Sequence, residues 1–135
     1  MFKELFTESI NGKMNEGTQA SIIVKTGEGK YSMSYAQYDG YLQGIGKELV
    51  DNFYSDKDAK KLVQKSGEIR GIDNGKVEYY TDRTLLIKNA KESKVCREAN
   101  AFSTYKYYWD GLDWYYTQSK CNGVEDIGFI LQDQV

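Results

Sequence analysis

Few side chains in this 135-residue sequence have the chemistry that a catalytic centre needs, because it contains no histidine. This absence excludes Ser-His-Asp and Cys-His nucleophiles and His-containing zinc sites. Ser21 therefore has no histidine to activate it. The two cysteines, Cys96 and Cys121, are too few and too far apart to indicate a disulfide framework or a zinc site, although the fold could still bring them together. We accordingly predict no metal and no cofactor.

Carboxylates are the remaining candidates for catalysis. Asp39, Asp110 and Asp113 could supply an acid–base pair, or a divalent-cation site with Glu48, if the fold brought them together. However, Asp39 and Asp110 each precede a glycine, which is typical of a turn, and Asp113 fits an exposed position on a hairpin. We therefore predict that the protein is not an enzyme, and metal-dependent carboxylate chemistry stays open as the alternative.

A glycine-rich segment over residues 38–47 is a candidate anion or ligand site. A turn that enters a helix presents backbone N–H groups and the positive end of the helix dipole, and a lysine can add charge. The segment lacks the Ser or Thr that follows the lysine of a P-loop. In the competing structural interpretation, Gly40 adopts a positive φ in the turn and the later glycines allow close packing. The candidate residues are Tyr38, Asp39, Gly40, Tyr41, Gly44, Gly46 and Lys47.

An aromatic segment near the C-terminus is the most distinctive feature of the sequence. Seven tyrosines and tryptophans lie between positions 105 and 116. A hairpin buries one face on a neighbouring layer, so alternate rings belong either to an exposed protein interface or, if both faces are covered, to the core. The interface hypothesis, which includes a homo-oligomer formed through this hairpin, names Tyr107, Trp109, Trp114 and Tyr116.

Two groups of basic residues favour a third function, binding of single-stranded nucleic acid beside the aromatic hairpin. Acidic residues are interspersed among them and the formal net charge is −2, so a solvated surface is the simpler interpretation and nucleic acid is not the expected partner. The two groups are Lys57, Lys60, Lys61, Lys65 and Arg70, and Lys88, Lys91, Lys94 and Arg97.

The first half of the sequence predicts one hairpin between helices. Apolar residues at helical spacing indicate a helix over residues 2–10, and β-rich runs over 20–26 and 31–38 flank a Gly-Glu-Gly turn. After Asp39-Gly40, an apolar stripe from Leu42 to Phe53 predicts a second helix. A capping box with Ser55 and Asp58 begins a third helix, which should end at Gly67.

The second half predicts mainly strands. Residues 71–75 should be a connector, with strands over 76–80 and 83–87, while residues 89–100 are too polar to distinguish a loop from a frayed helix. Asp110-Gly111 predicts a hairpin between residues 103–109 and 112–117, which would place Tyr108 opposite Asp113 and Lys106 opposite Tyr115. The element at 124–131 is of uncertain type.

These elements predict an α+β fold in which an antiparallel sheet of hairpins carries two or three helices on one face. Its length predicts a single domain over residues 1–135, with the helix within residues 1–12 packed on or near it. No apolar run is long enough for a bilayer span and no signal peptide is evident, so we predict a cytoplasmic protein with reduced thiols and no membrane partner.

Residues 17–24 (Gly-Thr-Gln-Ala-Ser-Ile-Ile-Val) and 34–46 (Ser-Tyr-Ala-Gln-Tyr-Asp-Gly-Tyr-Leu-Gln-Gly-Ile-Gly) resemble a family of small uncharacterised proteins from tailed phages and microbial genomes. That family typically reads Gly-Thr-Arg-Ser near its start, then a hairpin that ends in Gln-Tyr or His, then Trp-Asp-Gly-Tyr-Pro, and then Gly-Val-Gly or Gly-Gln-Gly. Here Gln19 and Ala20 replace Arg and Ser, Tyr38 replaces Trp and Leu42 replaces Pro. Any activity that used the Arg or the Ser is therefore not carried over.

The resemblance implies a viral, bacteriophage-type protein of unknown function that acts in the host cytoplasm. We predict a non-enzymatic accessory protein that binds and modulates a host macromolecule. A host protein is the expected partner, as for an inhibitor or an anti-defence protein. A nucleotide- or phosphate-binding protein that uses Asp39 to Lys47 is the first alternative, and a single-stranded nucleic-acid binder is the second.

Overall fold

A computed structural model describes residues 17–65, 67–83 and 86–135, so the helix predicted over residues 2–10 lies outside the described part of the chain. The described residues form an α+β fold around one sheet. The strands are β1 (Ala20–Gly27), β2 (Lys30–Ala36), β3 (Ile69–Asp73), β4 (Lys76–Tyr79), β5 (Leu86–Ala90), β6 (Tyr105–Trp109), β7 (Trp114–Thr117) and β8 (Phe129–Ile130). The helices are α1 (Lys47–Asn52), α2 (Asp56–Lys61) and α3 (Glu92–Phe102), and a π-helical turn (Leu42–Gly46) leads into α1.

The sheet is mixed, so the prediction of an antiparallel sheet was wrong. Its main order is β4-β3-β2-β1-β6-β7-β8, and β5 also pairs with β2. β1 pairs with β6 in parallel from Ala20 to Val24, and β2 pairs with β3 in parallel at Ala36. Parallel pairing requires a crossover connection. The path through α3 supplies this crossover for β6, because α3 returns the chain to the end of the sheet where β1 begins. Hairpin signals report neighbouring strands only, so they could not predict this pairing.

Helices cover both faces of the sheet, although the sequence predicted them on one. Ile22 and Val24 of β1 pack on the side of α1 and α2, whereas Ile23 packs on the side of α3. A continuous apolar run such as Ile22-Ile23-Val24 is typical of a strand that is buried on both faces. No helix among the described residues is long and apolar enough to cross a membrane.

Both strong hairpin predictions are confirmed, but the register of the second differs by two residues. Tyr108 lies opposite Tyr115 and Lys106 opposite Thr117, because the connection spans residues 110–113 rather than two residues. Asp110 Oδ1 accepts hydrogen bonds from the backbone N–H groups of Leu112 and Asp113, both at 2.8 Å. A shift of two residues preserves the faces of the strand, because side chains alternate with a period of two.

Two segments that the sequence left irregular are regular in the structure. The predicted connector at 71–75 belongs mostly to β3, and the turn to β4 is confined to Asn74 and Gly75, both with positive φ. The polar segment at 89–100 contains the end of β5 and most of α3, whose buried stripe is Val95, Cys96 and Ala99. This stripe is too short to be recognised in a polar sequence, and the sheet beneath it stabilises the helix. The element at 124–131 is a 3-10 turn (Val124–Asp126) followed by β8.

The helix start predicted at Ser55 is confirmed, since Ser55 Oγ accepts a hydrogen bond from the Asp58 backbone N–H at 3.1 Å. The α2 helix that it begins is shorter than predicted and ends at Lys61.

Candidate interaction surface

The four aromatic residues named as an interface lie in the core instead. Tyr107 and Trp114 are fully buried, Trp109 is 1% exposed and Tyr116 is 5% exposed. Both tryptophans donate a hydrogen bond at 3.0 Å towards the helical layer, Trp109 to Asp56 Oδ1 and Trp114 to the Phe53 carbonyl. Because α1 and α2 cover this face, the rings cannot form an exposed interface or a platform for stacked bases in the folded chain.

Most backbone donors of the predicted anion site are already used within the protein. The backbone N–H groups of Gly44 and Gly46 donate to the Tyr41 carbonyl. The Ile45 N–H donates to the Asp39 carbonyl, and the Gly40 N–H donates to the Thr18 carbonyl. The Lys47 ammonium forms an ion pair at 2.9 Å with Asp51, one turn along α1. An anion would therefore have to displace existing hydrogen bonds, and the structural interpretation of these glycines is the better supported.

Gly40 is required for close packing rather than for its φ, because the positive φ of this turn is at Asp39 (58°). A Cβ on Gly40 would lie 2.7 Å from the Gln19 carbonyl carbon and 2.8 Å from Ala20 Cβ. Gly40→Ala should therefore lower the free energy of unfolding by about 1–3 kcal/mol, since overpacking forces the backbone to shift. Urea denaturation followed by circular dichroism measures this loss.

Gly71→Ala is the matched control, because no heavy atom lies within 4 Å of the Cβ that it would add on β3. It should change stability by less than about 0.5 kcal/mol. Equal effects of the two substitutions would contradict the packing argument.

The carboxylates considered for catalysis serve separate structural roles. Asp110 caps its own turn, and Asp113 Oδ1 accepts a hydrogen bond from the Tyr54 hydroxyl at 2.8 Å. Glu48 accepts the backbone N–H groups of Asn74 and Gly75 at the β3–β4 turn. Across residues 17–65, 67–83 and 86–135, no three Asp, Glu or Cys side chains cluster as a metal site would require.

A different group of side chains forms a surface where β2 and β4 end and β3 begins, which we call the Tyr-Arg surface and define as Tyr38, Arg70, Tyr80 and Arg83. Backbone hydrogen bonds hold the segments that carry it. Gln37 and Tyr38 donate to the carbonyls of Ile69 and Arg70 at 3.0 and 3.1 Å, which fixes the end of β2 against β3. The Tyr80 N–H donates to the Glu68 carbonyl at 2.9 Å.

Each arginine of the Tyr-Arg surface lies over a tyrosine ring. The Arg83 guanidinium is 4.4 Å from the centroid of Tyr80, and the Arg70 guanidinium is 5.7 Å from that of Tyr38. Stacking of this kind restricts a long side chain that would otherwise sample many rotamers. Tyr38 is 37% exposed and the Arg83 side chain 49% exposed, so the surface is both ordered and open to solvent.

A buried carboxylate lies beneath this surface. Glu68 is 4% exposed, and its Oε1 accepts a hydrogen bond at 2.5 Å from the Gln37 amide and lies 4.0 Å from Arg83 Nη1. A buried charge needs partners, so Glu68 orients Gln37 and Arg83. Partial burial and the Tyr38 hydroxyl raise the pKa of Tyr80, whereas the two guanidinium groups act in the opposite direction.

The sequence predicts Tyr38 and Arg70 in different candidate sites, and it predicts no role for Tyr80 or Arg83. Their positions in sequence carry no common period, because Arg70 lies on β3 whereas Tyr38, Tyr80 and Arg83 lie in irregular segments that follow β2 and β4. The signal that was available is composition alone, since Tyr and Arg are the residues enriched in interfaces.

The chain matches no protein-family model, and neither a curated protein nor a solved structure is significantly similar to it.

Proposed function

We propose that this chain is a non-enzymatic binding protein that uses the Tyr-Arg surface to contact an acidic patch on another protein. The observation that carries the proposal is the pair of exposed guanidinium groups, each oriented by a tyrosine ring. Tyr and Arg dominate the residues that contribute most to protein–protein affinity. An oriented guanidinium also matches a carboxylate in a bidentate geometry and loses little rotamer entropy when it binds.

Charge balance supports this choice of partner chemistry. Within the described residues Arg70 forms no ion pair, and the only carboxylate near Arg83 is the buried Glu68 at 4.0 Å. The surface therefore offers positive charge that a partner's Asp or Glu can neutralise. A nucleic acid is less favoured, because its affinity depends on many phosphate contacts and the chain carries a net charge of −2. Lys60 and Lys61, which belong to one of the basic groups predicted for that function, pair instead with Asp56 and Asp58 on α2.

The biological setting of the proposal comes from the resemblance to small phage proteins. We propose a protein of the host cytoplasm as the partner, whose activity the bound chain modulates. The Tyr-Arg surface replaces the aromatic hairpin as the site of contact, since the hairpin rings form the core.

Reversal of both charges tests the proposal. The variant that combines Arg70→Glu with Arg83→Glu should lose the protein captured by the immobilised wild-type chain from a lysate of its host, with affinity at least about tenfold lower, because like charges then face each other. Isothermal titration with the purified partner measures the change. Lys76→Glu is the control, since it reverses an exposed charge on the β3–β4 hairpin outside the surface.

Equal capture by the wild type, the double variant and the control would contradict the proposal. Submicromolar affinity for a single-stranded oligonucleotide with a steep salt dependence would favour the nucleic-acid alternative instead. Fluorescence anisotropy at two salt concentrations separates that outcome.

A further inference from the structure

A buried lysine lies on the side of the sheet that α3 covers. Lys106 of β6 is 2% exposed, and its side chain shares a face with Tyr108, on the side that α3 covers. The ammonium donates hydrogen bonds to the carbonyls of Ser103 and Thr104 at 3.1 and 3.2 Å. No described carboxylate forms an ion pair with it. A charged group buried without a counter-ion is costly, and such residues concentrate at functional sites.

The two cysteines meet beside this lysine. Cys96 lies on the buried stripe of α3, and Asn100, one turn later, holds the Cys121 backbone through two hydrogen bonds of 2.8 and 3.0 Å. Both cysteines are 1% exposed and belong to the same buried cluster of side chains. Asn100 therefore fixes two segments that are distant in sequence so that both cysteines lie close together in one buried cluster.

The surroundings make the two thiols unequal. The hydrogen bond from Cys96 and the Lys106 ammonium lower the pKa of Cys121, against the effect of burial. The pKa of Cys96 is raised by that same hydrogen bond, by burial and by the carboxylates of Glu92 and Asp126. The Lys106 ammonium favours a thiolate, which is the reactive form, and Cys121 is the member of the pair that lies between exposed residues, so we assign it as the attacking thiol.

We propose that Cys96 and Cys121 are a peroxide-sensitive pair that closes reversibly to an intramolecular disulfide. The Cys121 thiolate attacks hydrogen peroxide, the O–O bond breaks, and a sulfenic acid forms while hydroxide leaves. Cys96 then attacks the sulfenic sulfur, its proton joins the departing hydroxyl group, and a disulfide and water result. One peroxide is reduced to two waters as two thiols are oxidised, and Lys106 stabilises the thiolate without entering the reaction.

Access to the buried sulfur requires only a small local opening. Cys121 lies between the exposed residues 118–120 and Asn122, in an irregular segment between β7 and the 3-10 turn. Irregular surface segments open at a much lower free energy than the core. Hydrogen peroxide is close to water in size, so it is the oxidant class that suits this position.

The test exposes the folded wild-type chain to hydrogen peroxide at neutral pH, then alkylates it in denaturant and measures its mass. We expect both thiols to be lost to alkylation without dimer formation, and to be recovered by dithiothreitol. Cys96→Ser should stop at a sulfenic acid on Cys121 that dimedone traps, whereas Cys121→Ser should react slowly. Lys106→Met should slow the reaction by about tenfold, the change in thiolate population that one unit of pKa produces at neutral pH.

The wild-type result is decisive even if a variant fails to fold. Two alkylatable thiols that persist under conditions in which free cysteine is oxidised would overturn the proposal, as would a disulfide between two chains. Faster trapping at Cys96 in Cys121→Ser than at Cys121 in Cys96→Ser would contradict the assigned roles.

Discussion

Replacing Trp114 by alanine should lower the free energy of unfolding by about 3–5 kcal/mol, a large share of the total for a small domain. The side chain is fully buried between the sheet and the helical layer, and its indole N–H donates to the Phe53 carbonyl at 3.0 Å. The substitution leaves a cavity and removes the donor of a buried hydrogen bond. Urea denaturation followed by circular dichroism measures the effect, since the midpoint should fall sharply.

Leu112→Ala is the matched control on the same hairpin. Leu112 is 78% exposed, so its truncation should change stability by less than about 0.5 kcal/mol. If Trp114→Ala retained wild-type stability and instead lost a binding partner, the aromatic hairpin would be an interface and its assignment to the core would be wrong.

High pH should unfold the protein because of its buried tyrosines. Burial and the nearby Glu98 carboxylate raise the pKa of Tyr35 to about 12, and burial also raises the pKa values of Tyr107 and Tyr108. In the unfolded chain these groups ionise near pH 10, so the folded state retains protons that the unfolded state loses. Their contribution to stability is therefore complete below about pH 10 and is lost as the pH rises through the folded pKa values.

The expected loss is about 1.4 kcal/mol per tyrosine between pH 9 and 11, or about 4 kcal/mol for the three together. Lys106 acts with the opposite sign, because burial lowers its pKa and its unfavourable charge is relieved as the pH rises. Absorbance of tyrosinate and circular dichroism should change together in a pH titration.

Tyr107→Phe should lower the free energy of unfolding at pH 8, since the 2.6 Å hydrogen bond to the Gly40 carbonyl is lost. The same variant should show a smaller further decline in stability up to pH 11. Tyrosine ionisation that is complete before any unfolding would contradict this explanation.

The sequence by itself determined the elements that depend on residues close together in the chain. The hairpin at Asp110-Gly111 and the cap at Ser55 are present because a turn or a helix end needs only a few neighbouring side chains and backbone groups. The Ile22-Ile23-Val24 run is typical of a strand buried on both faces, as β1 is, although the elements predicted from the sequence placed helices on one face only.

The tertiary structure alone decided which distant segments meet. The parallel pairing of β1 with β6 follows from the path of the chain through α3, and no turn signal encodes it. The burial of the aromatic hairpin depends on α1 and α2, and burial of the opposite face depends on α3, whose own stripe is too short to predict. The same limit applies to the Tyr-Arg surface and to the position of Cys96 and Cys121 in one buried cluster. Their geometry is set by long-range packing, to which many residues each contribute a small part of the free energy. The spacing of residues in the sequence therefore does not predict it.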